Sequence, residues 1–365
     1  VPVDGAHTAH FNSGTFTLGT TEPYAGNTGY GVLGYTPGTL TDLSPAGPSF
    51  IYTISADNTV LQGQRIHGIV QINANNCTVQ GCEIVGMAGI PYPGSGLYGL
   101  ISNVAGKTGN VAQYNTLTQW DASTSTDNSI WWMVGVIAGS GGMTSYRNDI
   151  SNINDAHYLT GGTHQILGNY VHDLGFRNDD SDQSGNGAHP FWSHDDGVQV
   201  MGGTNHVIDG NSFVMNFSDQ TGMNRTGGSN GNPNPDRYAE QQWPNCHGVL
   251  MQNANNAITG VQITRNWFKY GTIGPFFTFA AGDTVPGGAH TLTGNRFTPD
   301  QGTQFSQYIQ MAVDPTADWG TITVDSSNVY SHDPDTPASA QGTPLLAPTG
   351  TTTKLWAYNI SAHTP

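Results

Sequence analysis

Apolar side chains recur along this chain in a short frame: an apolar residue, two small or polar residues, a polar residue that is usually Asn, any residue, and a second apolar residue. The polar column reads Gln64, Cys82, Asn115, Asn148, Asn169, Asn211, Asn266, Asn295 and Ser327. Two positions later stand Ile66, Ile84, Leu117, Ile150, Val171, Phe213, Phe268, Phe297 and Val329. Three positions earlier stand Leu61, Val79, Ala112, Ser145, Ile166, Ile208, Ile263, Leu292 and Val324, where only Ser145 is polar. Successive copies are 18, 33, 33, 21, 42, 55, 29 and 32 residues apart. A short minimum repeat with variable insertions describes a coil whose rungs keep their places while loops bulge outward, each rung pairing with the last at about 4.8 Å. The pattern predicts an all-β fold: a right-handed, single-stranded parallel β-helix, a solenoid, over residues 51–335. The Asn column predicts a tight turn in left-handed geometry, with side-chain amides bonded along the stack.

Residues 1–50 lack the repeat and are rich in Gly, Thr and Pro; they predict an N-terminal cap or attachment segment. Residues 336–365 begin with a Pro/Ala/Gly-rich stretch and end near the run Lys354-Leu-Trp-Ala-Tyr358, which predicts a linker and a closing strand. Both ends of an open solenoid are pairing edges and need cover.

Composition agrees with the pattern. Charged residues are only 10%, with three Glu (Glu22, Glu83, Glu240) and three Lys (Lys107, Lys269, Lys354). The chain therefore lacks the residues that furnish exposed helix faces, which excludes a mainly helical fold. The net charge of −16 disfavours nucleic acid and anionic membrane surfaces as partners. No apolar run is long enough to cross a membrane as a helix. Three cysteines (Cys77, Cys82, Cys246) make no disulfide framework and lack zinc spacing, and no signal sequence opens the chain, which leaves prior removal and original absence both open.

Two resemblances follow from the rungs. The run from Ile54 to Gly86 and the segment HDDGVQVMGGTNHVIDGN (194–211) resemble the β-helix of minor tail proteins and tail spikes of actinobacterial phages; secreted β-helix proteins of the host bacteria share these patterns. The phage resemblance implies a virion tail component that recognises a host cell-surface glycan, with or without depolymerising it, and a homotrimer or tail assembly. The alternatives are a secreted, extracellular glycoside hydrolase acting on a neutral polysaccharide, and a purely structural solenoid.

The second resemblance is chemical. NDAHYLTGGT (154–163), HDDGVQVMGGT (194–204) and NCHGVLMQN (245–253) align on a small residue (Ala156, Gly197, Gly248), which puts Asp155, Asp196 and His247 in one column with Asp195 adjacent. Polygalacturonase-like glycoside hydrolases carry a similar Asp, Asp-Asp and Gly-His-Gly series. The likeness implies that Asp155, Asp195, Asp196 and His247 form an acid/base group. The family's Arg-x-Lys is missing; that rung reads Ile273-Gly-Pro-Phe-Phe277, which argues for a neutral sugar. Stacked carboxylates repel, so one holds its proton as a general acid while the other stays ionised. The opposing interpretation is that Asp-Gly is a turn with Asp bonded to backbone amides.

The two longest insertions follow Asn169 and Asn211. Trp192, His194, Arg237, Glu240 and Trp243 within them are candidate substrate-binding residues, with Trp supplying a face for sugar stacking, or packing its own loop. Asp180 and Asp182 match the first half of a calcium loop, but the twelfth position is Phe191, so a solvated acidic loop competes with Ca2+ there and no other cofactor is expected. His157, His164, His172 and His206 follow no metal spacing; His157 and His172 are expected to fill rungs or the surface.

Overall fold

The computed structural model describes residues 16–43, 50–86, 98–119, 133–174, 196–214, 247–252, 257–269, 273–278, 288–298, 309–313, 320–332, 338, 341–345 and 354–357. Their strands form three long sheets. Sheet A has ten strands from Thr41–Leu43 to Val329–Tyr330, sheet B ten from Ile51–Ile54 to Lys354–Ala357, and sheet C nine between Val60–Gln62 and Gly320–Val324. The chain visits A, B and C in turn, and each strand pairs in parallel with its counterpart one coil later, as Ile66, Ile84, Leu117 and Ile150 do in sheet A. This is a parallel β-helix. The one antiparallel pairing within these sheets is Lys354–Ala357 against Ile309–Val313, at the far end of sheet B.

The Asn column forms a continuous buried ladder at the turn from sheet C to sheet A. The Asn169 Oδ1 accepts the backbone N–H of Asn148 at 3.0 Å and its Nδ2–H at 3.1 Å, and the Asn211 Oδ1 does the same for Asn169 at 2.9 and 3.0 Å. Each Nδ2 also donates to a carbonyl one coil back, as Asn169 does to Ser145 at 3.1 Å. The left-handed residue of the turn is the one before the Asn: Tyr114, Arg147 and Arg265 have φ of 55°, 51° and 55°, and Gly takes this place at 168, 210 and 294. The Asn itself supplies the amide, so the expected left-handed position is displaced by one residue.

The last rung departs from the pattern by one residue. Asn328, not Ser327, accepts the Asn295 N–H at 3.2 Å, and Tyr330, not Val329, pairs with Phe297 and is buried. Val324 still pairs with Leu292, so the extra residue lies in the turn, where the Ser327 hydroxyl accepts the Gly294 N–H. At the other end, Cys82 stands in for Asn, its thiol directed at the Leu61 carbonyl at 3.7 Å, and burial pushes that thiol up to about 11.

Inside the coil, Phe213, Phe268 and Phe297 of sheet A stack at centroid separations of 5.3 and 5.2 Å. Small residues of sheet B face them: a Cβ on Gly197 would lie 2.4 Å from Phe213 Cδ1, and one on Gly248 2.3 Å from Phe268 Cδ1. Gly248→Ala is expected to cost about 1–3 kcal/mol in urea unfolding by forcing the ring aside; an unchanged midpoint would show that the stack yields freely.

The polar exception Ser145 has a partner. Asn148 Nδ2 donates to Ser145 Oγ at 2.9 Å, Ser145 Oγ meets His157 Nε2 at 2.9 Å, and His157 Nδ1 faces the Gly197 carbonyl at 3.2 Å. A ring nitrogen facing a carbonyl must carry the proton, so Nε2 accepts from the serine. Burial lowers this imidazole's pKa to about 4.

Residues 16–43 run along the outside of the coil. Glu22 pairs with Lys269 at 2.7 Å, Asn27 accepts from Arg147 Nε at 2.9 Å, Tyr35 accepts from Gln62 at 2.7 Å, and Pro37 accepts from Arg65 at 2.9 Å. The segment ends as Thr41–Leu43, the first strand of sheet A, so the sheet starts before residue 51.

Candidate functional site

The three turns of the coil differ in tolerance. From sheet C to sheet A the chain turns tightly at every rung, because the Asn ladder admits little variation. From sheet A to sheet B it makes its longest excursions: it leaves at Gly86, Gln119, His172 and Val214 and re-enters sheet B at Tyr98, Met133, Asp196 and His247. Asp196 and His247 are thus the first residues of their sheet B strands, at the corner where the excursions return.

Asp196 and His247 are register partners. Tyr158 pairs with Gln199, which sets Asp155 opposite Asp196 one coil earlier. The sequence alignment on Ala156, Gly197 and Gly248 therefore places the three in one column. Its cause is packing: Gly197 and Gly248 lie over Phe213 and Phe268 of sheet A.

An acid/base group implies an outward-facing column open to substrate, but Asp155, Asp196 and His247 are only 2%, 0% and 1% exposed. Each carboxylate is drawn against the next rung by a backbone amide. Asp155 Oδ1 accepts the Asp196 N–H at 2.8 Å, and Asp196 Oδ1 accepts the His247 N–H at 3.1 Å. His247 Nδ1 also lies 2.8 Å from Asp196 Oδ1, a charge-assisted contact that holds the imidazole with Nδ1–H toward the carboxylate. The ladder repeats the logic of the Asn column with carboxylate oxygens as acceptors.

Chemically, carboxylates on adjacent rungs stand roughly one strand spacing apart, ~4.8 Å. That is nearer the roughly 5–5.5 Å of an acid and nucleophile pair than the roughly 6.5–9.5 Å that admits a water. Asp195, Trp192, His194, Arg237, Glu240, Trp243, Asp180 and Asp182 lie outside the described residues. Among the described residues, no group of His, Cys, Asp or Glu is arranged to hold a metal ion, and no helix is long and apolar enough to cross a membrane.

Comparison of the chain with family models, curated proteins and solved structures finds no match. Interpretation of the column therefore rests on its own geometry.

Sequence reasoning missed a second buried ladder. Asn110 Oδ1 accepts the Cys77 N–H at 2.8 Å, His164 Nδ1 the Met143 N–H at 3.0 Å, His206 Nδ1 the His164 N–H at 3.1 Å, and His290 Nδ1 the Val261 N–H at 3.4 Å. His164 and His206 stack at 5.2 Å with their planes 4° apart. The signal was available: each of these residues precedes a ladder Asn by five positions, as His164 precedes Asn169 and His290 precedes Asn295. Burial lowers His164 to about 3, with the neighbouring His206 adding to it, and lowers His290 to about 4 and His206 in the same direction.

His172 is the opposite case. Burial alone would lower its pKa, but Asp149 and Asp173, each 2.8 Å from a ring nitrogen, outweigh burial and raise it to about 9.

Proposed function

We propose that this chain is a phage-tail β-helix that recognises a neutral host-surface glycan at the corner between sheets A and B. The supporting observation is that the two longest connections from sheet A to sheet B within the parallel coil, after His172 and after Val214, fall on successive rungs and re-enter sheet B at Asp196 and His247, in the column of Asp155. Loops carried by a rigid solenoid are where such folds place recognition. The net charge of −16 and the missing Arg-x-Lys favour a neutral sugar over a uronate. A virion location and a homotrimer or tail assembly belong to the same proposal.

A hydrolytic reading of the same corner is favoured by the His247–Asp196 contact at 2.8 Å. In it, the protonated one of the stacked carboxylates of Asp155 and Asp196 gives its proton to the leaving oxygen as the glycosidic bond breaks, the ionised one attacks the anomeric carbon or takes a proton from a water that does, and His247 tunes the pair. A secreted bacterial hydrolase would share this chemistry, and the genomic neighbourhood separates it from a tail protein.

The test uses host-wall polysaccharide, measuring both binding and released reducing ends. If the column is catalytic, Asp196→Asn lowers turnover by about 10²–10⁴-fold. The fold should persist, because the amide oxygen still accepts from His247. Equal turnover per folded molecule in Asp196→Asn sinks the hydrolytic reading. Binding without release by the wild type leaves recognition alone, and then Trp192→Ala or Trp243→Ala, not Asp196→Asn, should abolish attachment. Failure of the wild type to bind any wall glycan ends the proposal.

A further inference from the structure

A cleft of about 390 Å³ lies between the N-terminal segment and the outer face of sheet A, lined by Glu22, Pro23, Tyr24, Tyr170, Val214 and Lys269. Val214 and Lys269 end their sheet A strands, so the cleft opens beside the corner from which the excursions depart. None of these residues belongs to the Asp155–Asp196–His247 column. We infer that this cleft is a sugar-binding subsite that takes a neutral, uncharged glycan terminus, with Tyr24 and Tyr170 as stacking faces and the Glu22–Lys269 pair as its polar contact. The inference rests on the glycan reading above and gives it a location.

Three features carry it. The first is a pair of aromatic residues of different character. Tyr24 is 40% exposed, alone in this among the large aromatic side chains of the described residues, and its backbone is held by an Asn27 Oδ1 contact at 2.8 Å and by Thr28 Oγ at 2.9 Å. Tyr170 is rigid by contrast: its ring stacks on His172 at 4.1 Å and 18°, and His172 is clamped between Asp149 and Asp173. An aromatic face that is already ordered loses little freedom when a sugar's C–H face stacks on it.

The second feature is the polar group. Glu22 Oε1 lies 2.7 Å from Lys269 Nζ and accepts from Ser212 Oγ at 3.1 Å, so its carboxylate is oriented before any ligand arrives. The pair presents an acceptor and a donor side by side with no net charge. Vicinal sugar hydroxyls both donate and accept, and they match that arrangement. A uronate would meet Glu22 as a like charge on a protein already at −16. The third feature is size: the cleft falls at the low end of the roughly 300–1,000 Å³ of small-molecule sites, room for a chain end rather than a long polymer.

The test applies the full chain to an array of neutral and uronate-bearing oligosaccharides. The tightest-binding neutral oligosaccharide is then titrated by calorimetry into wild type, Tyr24→Ala, Lys269→Met and, as a control on the exterior of sheet C, Gln80→Ala. Tyr24 is exposed, so Tyr24→Ala keeps the test valid if Lys269→Met folds poorly. Tyr24→Ala and Lys269→Met are expected to weaken binding at least ~10-fold, the loss of a stacking face or a charge-assisted bond, while Gln80→Ala binds as wild type does. Wild-type affinity in both cleft variants, on a protein that does bind glycan, overturns the subsite and leaves the glycan reading standing. A preference for uronate-bearing sugars overturns the neutral class. No saturable binding of any array sugar by wild type overturns the glycan reading itself.

Discussion

Acidification from pH 7 to pH 4 is expected to unfold the protein cooperatively, with a midpoint set by buried imidazoles rather than by carboxylates. His157, His164 and His290 have folded-state pKa values of about 4, 3 and 4, against 6.5 in an unfolded chain, because burial disfavours the charged ring. The sign follows from proton uptake. Above pH 6.5 neither state binds the proton and the stability is fully present; as pH falls below 6.5 the unfolded chain takes up protons that the folded chain refuses. Each such histidine then costs about 1.4 kcal/mol per pH unit. By pH 4 the three together remove on the order of 10 kcal/mol, comparable to the whole stability of a typical domain. His172 acts in the other direction: its raised pKa of about 9 gives a contribution that is complete below 6.5 and is lost as pH rises through 9. The ladder geometry explains why protonation cannot be absorbed locally. His164 Nδ1 and His206 Nδ1 accept backbone N–H groups, and a protonated nitrogen cannot accept. The protein already contains the control, since Asn110 performs the same task for Cys77 with a group that does not titrate. His164→Asn should therefore move the acid midpoint downward, followed by tryptophan fluorescence or circular dichroism. An acid midpoint that does not move in His164→Asn would refute the assignment.

Asn169→Ala is expected to destabilise the fold by about 3–5 kcal/mol, among the largest effects of a single truncation here. Its Oδ1 accepts from Asn148 N and Asn148 Nδ2 at 3.0 and 3.1 Å, and its Nδ2 donates to Ser145 O and Asn211 Oδ1 at 3.1 and 3.0 Å. Removal strands several buried polar groups, each costing about 1–3 kcal/mol when no water can replace the partner. The external glutamine row is the comparison. Gln80 Nε2 donates to Gln62 Oε1 and Gln80 Oε1 accepts from Gln113 Nε2, both at 2.7 Å, on a side that reaches solvent. Gln80→Ala should cost under about 1 kcal/mol, because water takes over both bonds. Urea midpoints at constant slope measure the difference. Equal losses in the two variants would show that burial of the Asn ladder is not what gives it weight.

The coil was legible because one column combines two independent signals, the buried Asn and the apolar residue two positions on. It slipped only at the last rung, where an added turn residue moved the Asn to 328 and the apolar position to Tyr330. The alignment of Asp155, Asp196 and His247 succeeded for a related reason. Its marker, a small residue, is demanded by Phe213 and Phe268 across the core, so it keeps register whatever the column does. The histidine ladder was missed although its offset from the Asn column is constant, because His, Asn, Cys and Val share that position and no residue-type pattern survives.

The sequence by itself determined the coil and which positions pair from rung to rung as far as Phe297, since these follow from the side-chain periodicity that those rungs share. Only the tertiary structure decided how the polar exceptions are used. Ser145 and His157 are far apart on the rung's path and meet only across the interior. The acidic column is buried against backbone amides rather than presented to solvent, because the choice depends on which N–H groups the adjacent rung leaves to satisfy. The N-terminal segment carries no repeat, and its course along sheet A is set by contacts as distant in sequence as Glu22 with Lys269, which no local pattern encodes.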